Sequence, residues 1–340
     1  MKRFASTIQS YIQQNRLLPD FGSVIIGLSG GADSVCLLRV MHSLHYQCIA
    51  VHCNFHLRGE ESMRDEMFVR HICQAESIQL IVKDFDTKAY AEEKSISIEM
   101  AARKMRYDFF EQMRVEHKAN AIAVAHHMND NIETILLNML RGTGVKGLCG
   151  MMPKNGNIIR PLLCVSREEI LQYIRTGRMD YVTDSTNLTT EYTRNKIRLE
   201  LIPMLEEINE AACNNLGMLA ENMLETRKIY ECYIEEQKSI CTSNTKDGFV
   251  IDLSRLDKCA SIKSVLHSLL SPMGFTRAQI MNMQTALSGK VFYSFGEKRS
   301  EEMSDRGQTE IRCQSVVRVK VNGDGRRRLF VSSVSPSTEP

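Results

Sequence analysis

The sequence predicts an α/β fold in which a doubly wound parallel sheet is followed by a second, smaller, mainly helical domain. Three observations carry this. Apolar strand-like runs alternate four times with segments of helical period between residues 24 and 140. The stretch Val24-Ile25-Ile26-Gly27-Leu28-Ser29-Gly30-Gly31-Ala32-Asp33-Ser34-Val35 places a glycine pair where a buried strand turns into a helix. The histidines and acids cluster just after the strands, where open α/β sheets bind their ligands.

Taken in order, Phe4, Ile8, Tyr11 and Ile12 recur at helical spacing, so the first eighteen residues read as a short structural helix under the sheet. Val24 to Leu28 is the first strand, Ser29 to Ser34 a tight turn, and Val35 onward an apolar helix. Gln47 to Cys53 is a second strand and Glu60 to Ala75 a second helix. Leu80-Ile81-Val82 is a third strand, Ile98 to His117 a third helix, and Ala121 to Ala125 a fourth strand feeding a helix from about Asn129 to Leu140. Ile158 to Leu163 reads as a fifth strand, and Ser166-Arg167-Glu168-Glu169 is a capping box opening another helix. A polar loop, Asp184-Ser185-Thr186-Asn187, precedes the cationic run Arg194-Asn195-Lys196-Ile197-Arg198. From Glu210 to Ile240 one long helix carries an apolar stripe of Leu216, Leu219, Met223, Tyr230 and Ile234. Phe249-Val250-Ile251 and helical segments at Ser261 to Leu270 and Arg277 to Leu287 complete the smaller domain. Beyond Phe295 the apolar periodicity fades, and no fold is assigned to the tail.

The glycine turn is built for phosphate. Gly30 and Gly31 let backbone N–H groups approach an oxyanion, and the helix that follows offers unpaired donors and the positive end of its dipole. Ser29 and Ser34 add hydroxyls, whereas Asp33 suits Mg²⁺ riding on the phosphates. No Walker A sequence is present. After the second strand, His52 and Arg58 suit a loop lying over the nucleotide; His52 and His56 invite a zinc reading, but no helix holds them on one face. After the fourth strand, His126 joins Asp130 and Glu133, which lie three apart in a first helical turn and face the glycine turn. Glu99, Arg103 and Arg106 form one polar edge of the third helix, beside an apolar face of Met105, Phe109 and Met113. Gly142 to Gly147 follows a helix, so its spaced glycines read as a substrate loop carrying Arg141 and Lys146 instead of a dinucleotide site. Arg194, Asn195 and Arg198 suit an RNA phosphate run, the alternative being a solvated helix face.

At 340 residues with 43% hydrophobic composition, the chain has core enough for two domains and a tail. A net charge of +2 makes any RNA site a local patch. The eleven cysteines include no Cys-x-x-Cys pair, and several sit in apolar runs typical of reduced thiols, which suggests a cytoplasmic protein. No run approaches a signal sequence or an eighteen-residue apolar span, so no membrane role is expected. A homodimer is compatible with this composition.

Ser29-Gly30-Gly31-Ala32-Asp33-Ser34 resembles the PP-loop of the N-type ATP pyrophosphatases, whose fold is of the adenine nucleotide alpha hydrolase type. Together with Val51 to Ser62, Glu99 to Tyr107, His126 to Gly144 and Asp184 to Pro203, the chain resembles the tRNA(Ile)-lysidine synthetases within that family. A second-domain match runs more loosely to Gly289-Lys290-Val291-Phe292. Departures are Phe55 before His56, Asn129 where members often carry Asp, and a short tail in which only Asp305-Arg306-Gly307 is similar to a further domain.

The resemblance implies a PP-loop catalytic domain over 1–211, a tRNA-contacting helical domain over 212–295 and a tail over 296–340, a truncated third domain or a disordered segment. It implies ligation of free lysine to carbon 2 of the wobble cytidine in a CAU-anticodon tRNA(Ile), through an adenylated intermediate, with ATP as substrate and Mg²⁺ as cofactor. Asp33, Asp130 and Glu133 would then be catalytic, with Asp33 also on the metal. Ser29, Gly30, Gly31, Ala32, Ser34, His52, Arg58 and His126 would hold ATP or pyrophosphate, and Glu99, Arg103, Arg106, Arg141, Lys146, Arg194, Asn195 and Arg198 would meet tRNA or lysine. Two alternatives are a thiolase-type adenylating enzyme and a non-catalytic ATP sensor.

Overall fold

The computed structural model describes residues 1–183, 193–246, 248–284, 291–298, 310–321 and 327–333. The chain divides into two compact units, Met1–Leu224 and Glu225–Pro340. That division falls within the long helix Ala212–Cys241, thirteen residues beyond the 211/212 boundary expected from sequence.

In the first unit the elements run α1 (Lys2–Gln14), β1 (Ser23–Gly27), α2 (Ala32–Ser43), β2 (Gln47–Asn54), α3 (Glu60–Ala75), β3 (Gln79–Asp84), α4 (Thr87–Lys94), α5 (Ile98–Glu116), β4 (Ala121–Ala123), α6 (Met128–Leu140) and α7 (Val145–Leu148). Two short strands, β5 (Lys154–Asn155) and β6 (Ile158–Ile159), lead to α8 (Arg167–Thr176), α9 (Thr193–Lys196) and α10 (Ile202–Ile208). The sheet order is β3-β2-β1-β4-β6-β5, parallel except where β5 meets β6.

Strand β1 shows why the sheet is doubly wound. Its side chains alternate between faces, and both faces are apolar. Val24 and Ile26 enter a core with Leu37, Leu38 and Met41 of α2, whereas Ile25 enters the opposite core with Phe109, Phe110 and Met113 of α5. Burying each such side chain is worth about 1.5–3 kcal/mol. A Cβ at Gly27 would lie 2.7 Å from the Phe110 ring, so the strand end and α5 pack closely only because that residue is glycine.

The chain reverses direction of winding between β1 and β4. The loops after these two strands therefore open into one crevice. The expected fifth strand is cut to Ile158–Ile159, because Pro161 has no N–H to donate and opens a 3₁₀ turn, Pro161–Cys164. Helix α4 was not foreseen, and the glycine loop after α6 contains the one-turn helix α7.

The second unit carries the expected helices and adds a five-stranded antiparallel sheet. Its elements are the C-terminal part of α11 (Ala212–Cys241), β7 (Thr242–Thr245), β8 (Gly248–Asp252), α12 (Leu253–Leu256), α13 (Ile262–Leu270), α14 (Arg277–Gln284), β9 (Val291–Lys298), β10 (Glu310–Val321) and β11 (Arg327–Ser333). The strand order is β7-β8-β11-β10-β9. Val317, Leu329 and Val331 are buried with Ile251, Leu266 and Phe275 in a single core. Much of the tail is thus part of the fold: two of its strands lie inside the sheet, and β11 pairs with β8. Asp305-Arg306-Gly307 and Asp184 to Asn187 lie outside the described residues.

Candidate active site

The turn between β1 and α2 closes on itself through its two serines. The Ser29 N–H donates to Ser34 Oγ at 3.2 Å, the two hydroxyls lie 3.1 Å apart, and Ser34 Oγ donates to the Gly31 carbonyl at 2.9 Å. Gly30 has φ +92°, a conformation L side chains rarely adopt, and a Cβ there would also strike Val182. The Val182 N–H caps the Gly30 carbonyl at 3.0 Å. Gly31 is the N-cap of α2, whose first turn leaves the N–H groups of Ala32, Asp33 and Ser34 without intrahelical acceptors. The result is a fixed cradle of donors at a helix N-terminus.

Asp33 stands at its rim. Its Oδ2 accepts from Arg167 Nη1 at 3.0 Å and lies 3.8 Å from His127 Nε2. Its Oδ1 is buried and has no hydrogen-bond partner among the described residues. A carboxylate oxygen orphaned in this way suits a hard cation, so the residues present fit Mg²⁺. Among the described residues no group of three His, Cys, Asp or Glu side chains could hold a metal, so Asp33 would share such an ion with phosphate oxygens.

Facing the cradle is the start of α6. His127 caps that helix, accepting from the Asp130 N–H, while Asp130 Oδ2 accepts from the His127 N–H at 3.1 Å. Burial alone would raise the Asp130 carboxyl, but His127, its backbone N–H, His126 and Arg194 together hold it below the usual carboxylate range. Glu133 is 1% exposed, and both of its oxygens are taken. Arg194 Nε reaches Oε2 at 2.7 Å and Arg198 Nε reaches Oε1 at 2.6 Å. Arg198 Nη2 also lies 3.3 Å from Asp130 Oδ1. The sequence suggested an RNA phosphate run for these arginines; the structure turns their guanidinium groups onto the acid pair. Glu133 is correspondingly a buried counter-ion. His126 sits behind this cluster, with Arg160 donating to its Nδ1 at 3.3 Å.

Other expected site residues are placed differently. His52 is buried and its Nδ1 lies 2.8 Å from the Leu28 carbonyl, tying β2 to the residue that opens the cradle. Arg58 binds Asp65 at 2.9 Å, so its cation is shared with a buried acid of α3. Arg103 and Arg106 are exposed on α5 and lie over the rings of Tyr107 and Phe55, at 5.0 and 5.2 Å. Glu99, Arg141 and Lys146 are exposed and are not brought into the acid–arginine cluster; Asn195 lies between its two arginines. Sequence reasoning passed over Arg167, hidden in a capping box, and Arg160. A cation inside the apolar run Ile158 to Leu163 was the available signal for the latter.

The thiols nearby are held protonated. Burial pushes Cys53 up to about 12, and Cys36 is raised further by burial and by Asp33. Among the described residues no helix is long and apolar enough to cross a membrane.

Two family models match the chain: a PP-loop domain over residues 2–205, and a TilS substrate binding domain over residues 244–296. A tRNA(Ile)-lysidine synthase of Bacteroides thetaiotaomicron is 50% identical over 297 residues, covering 87% of this chain and 68% of the relative. One of Parabacteroides distasonis is 47% identical over 292 residues, covering 85% and 66%. The chain thus spans about two thirds of the length of these relatives. Among solved structures, the U34-tRNA thiolase NcsA of Methanococcus maripaludis, with its [4Fe-4S] cluster, matches with a TM-score of 0.54 at 17% identity, over 66% of this chain and 80% of that one. That likeness concerns the fold alone.

Proposed function

The chain belongs to the tRNA(Ile)-lysidine synthase family, and from that membership we propose that it ligates lysine to carbon 2 of the wobble cytidine of a CAU-anticodon tRNA(Ile), consuming ATP. The observation that carries this reading is the juxtaposition of a phosphate cradle, an orphaned Asp33 oxygen and the buried acid–arginine cluster at one sheet crevice.

The oxygen on cytosine carbon 2 is a poor leaving group. In the proposed first step it attacks the α-phosphorus of ATP, forming an O–P bond while the bond to the β-phosphate breaks. Pyrophosphate departs into the donors of Ser29 to Ser34. Mg²⁺, held by Asp33, would neutralise charge on the phosphates. Arg167, which donates to Asp33, would add a second cation for the same anion. The lysine ε-amine then attacks carbon 2, and AMP leaves with the former cytosine oxygen.

The amine has an ordinary pKa of about 10.4 and must lose its protons as the C–N bond forms. Asp130 is the proposed acceptor. Because it is held ionised, it also attracts the incoming ammonium. Glu133 acts by fixing Arg194 and Arg198, which in turn orient Asp130. The tRNA contacts are proposed for Arg103, Arg106, Arg141 and Lys146, which stand exposed.

A thiolase reading fares worse, since the cysteines nearest the cradle are held as thiols by burial. The deciding experiment incubates purified protein with ATP, Mg²⁺, lysine and CAU-anticodon tRNA(Ile). AMP, pyrophosphate and a nucleoside heavier by lysine less water are expected. Sulfur transfer, or ATP binding without tRNA-dependent pyrophosphate release, would overturn the proposal. Asp33→Asn and Ser29→Ala should lose the adenylation step while tRNA still binds; wild-type pyrophosphate release in either would remove the cradle from the chemistry.

A further inference from the structure

Arg160 is a cation to which the fold gives little water and, among the described residues, no acid. It follows β6 directly, its N–H donates to the Pro153 carbonyl at 2.9 Å, and it is 8% exposed. The titratable groups that bear on it are Tyr107, Tyr11 and the like-charged Arg103; no carboxylate is among them. Burying an arginine without a counter-ion costs several kcal/mol. Two neutral acceptors receive it instead: the Met152 carbonyl, from Nη1 at 2.8 Å, and His126 Nδ1, from Nε at 3.3 Å.

A guanidinium can only donate. The ring atom facing it must therefore present a lone pair, which leaves the single imidazole proton on Nε2. Imidazolium would set an N–H against the Arg160 N–H at the same distance. We propose that Arg160 is a positioning residue: by occupying Nδ1 it fixes His126 in the Nε2–H tautomer, so that the end of β4 presents one unvarying neutral donor to the ligand in the crevice.

The surroundings of His126 agree. Burial, joined by Arg160, Arg194 of α9 and Arg103 of α5, opposes its protonation, whereas Asp130 of α6 favours it, and its pKa is pushed down to about 4. Such a donor keeps its strength across the neutral range. It also adds no positive charge beside a cytosine that becomes cationic once its oxygen is adenylated. The activity arm of the test rests on the function proposed above; the tautomer does not.

The test uses full-length protein with ¹⁵N-labelled histidine, His126 being assigned by its loss in His126→Asn. In the wild type, Nε2 should carry the proton, Nδ1 should be bare, and no protonation should occur between about pH 6 and 8. In Arg160→Met both tautomers should appear, and the midpoint should rise by about one pH unit, a tenfold gain in proton affinity. The tRNA-dependent release of pyrophosphate should then acquire an acidic limb that the wild type lacks, and Arg160→Lys, which keeps a donor, should largely remove it. A proton on Nδ1 in the wild type would overturn the proposal even if Arg160→Met fails to fold. So would an Arg160→Met protein with unchanged tautomer and pH profile. Absence of pyrophosphate release from the wild type would count against the function while leaving the tautomer result standing.

Discussion

Glu133→Gln offers the sharpest test of the acid–arginine cluster. The carboxylate is 1% exposed and each oxygen receives an arginine at 2.6–2.7 Å. Removing one member of a fully buried ion pair costs roughly 3–5 kcal/mol, because the other charge is left stranded. Here the arginine side chains are 44% and 29% exposed, so both can recover some hydration. Discounting for that, the loss should be about 2 kcal/mol. For a unit of this size each kcal/mol lowers Tm by roughly 2–4 °C, so the variant should melt about 4–8 °C below the wild type. Thermal unfolding followed by circular dichroism reads this directly. A cycle with Arg198→Met should show coupling of about 0.5–3 kcal/mol between the two sites. A Tm within about 1 °C of wild type, or strictly additive losses, would refute the reasoning and return the arginines to the role of solvated surface cations.

Asp130, held below its ordinary value, contributes stability that is present above the unfolded carboxyl pKa of about 3.9 and is lost as pH falls through the lower folded value. Acid unfolding of Asp130→Asn should accordingly be flatter below about pH 4, and an unchanged profile would show that the carboxyl is unperturbed. In the reaction, the same variant should still adenylate tRNA but react slowly with lysine, and raising the pH should partly restore the second step; failure of adenylation itself would place Asp130 earlier in the sequence. Removing residues 300–340 should unfold the second unit, since it strips β10 and β11 and the buried Val317, Leu329 and Val331. A truncated protein that keeps its calorimetric transition for that unit would contradict the sheet.

The parts of the fold that sequence made legible are those where a local period and a local turn agree. Val24 to Leu28 is apolar at every side-chain-bearing position because both faces are covered, and the glycine pair marks where it must turn. The capping box at Ser166 opens a helix where expected. The tail was opaque for a physical reason: β10 alternates Val317, Val319 and Val321 with Arg318 and Lys320, a pattern whose meaning depends on the partner strands β9 and β11. The site was half legible. Asp33 and Asp130 could be found because they follow strands. The destinations of Arg194 and Arg198 could not, since a cation on a helix looks alike whether it meets phosphate or a carboxylate 61 or 65 residues away. Arg167 and Arg160 were missed because each acts across the sheet on a residue distant in sequence.

The bond from Arg167 to Asp33 spans 134 residues. At a synthesis rate of about 5–20 residues per second, the glycine turn emerges from the ribosome roughly 7–27 seconds before the arginine that meets its aspartate. Val182, which caps the Gly30 carbonyl, and Arg194 and Arg198, which neutralise Glu133, arrive later still. A nascent chain that has already formed β1, α2 and α6 therefore carries an unfinished crevice, with Asp33 and Glu133 awaiting their cations. Completion of this site waits on long-range closure, which is slow compared with helix formation. Ribosome-bound chains of increasing length should gain the ability to retain nucleotide abruptly, only after Arg198 has cleared the exit tunnel.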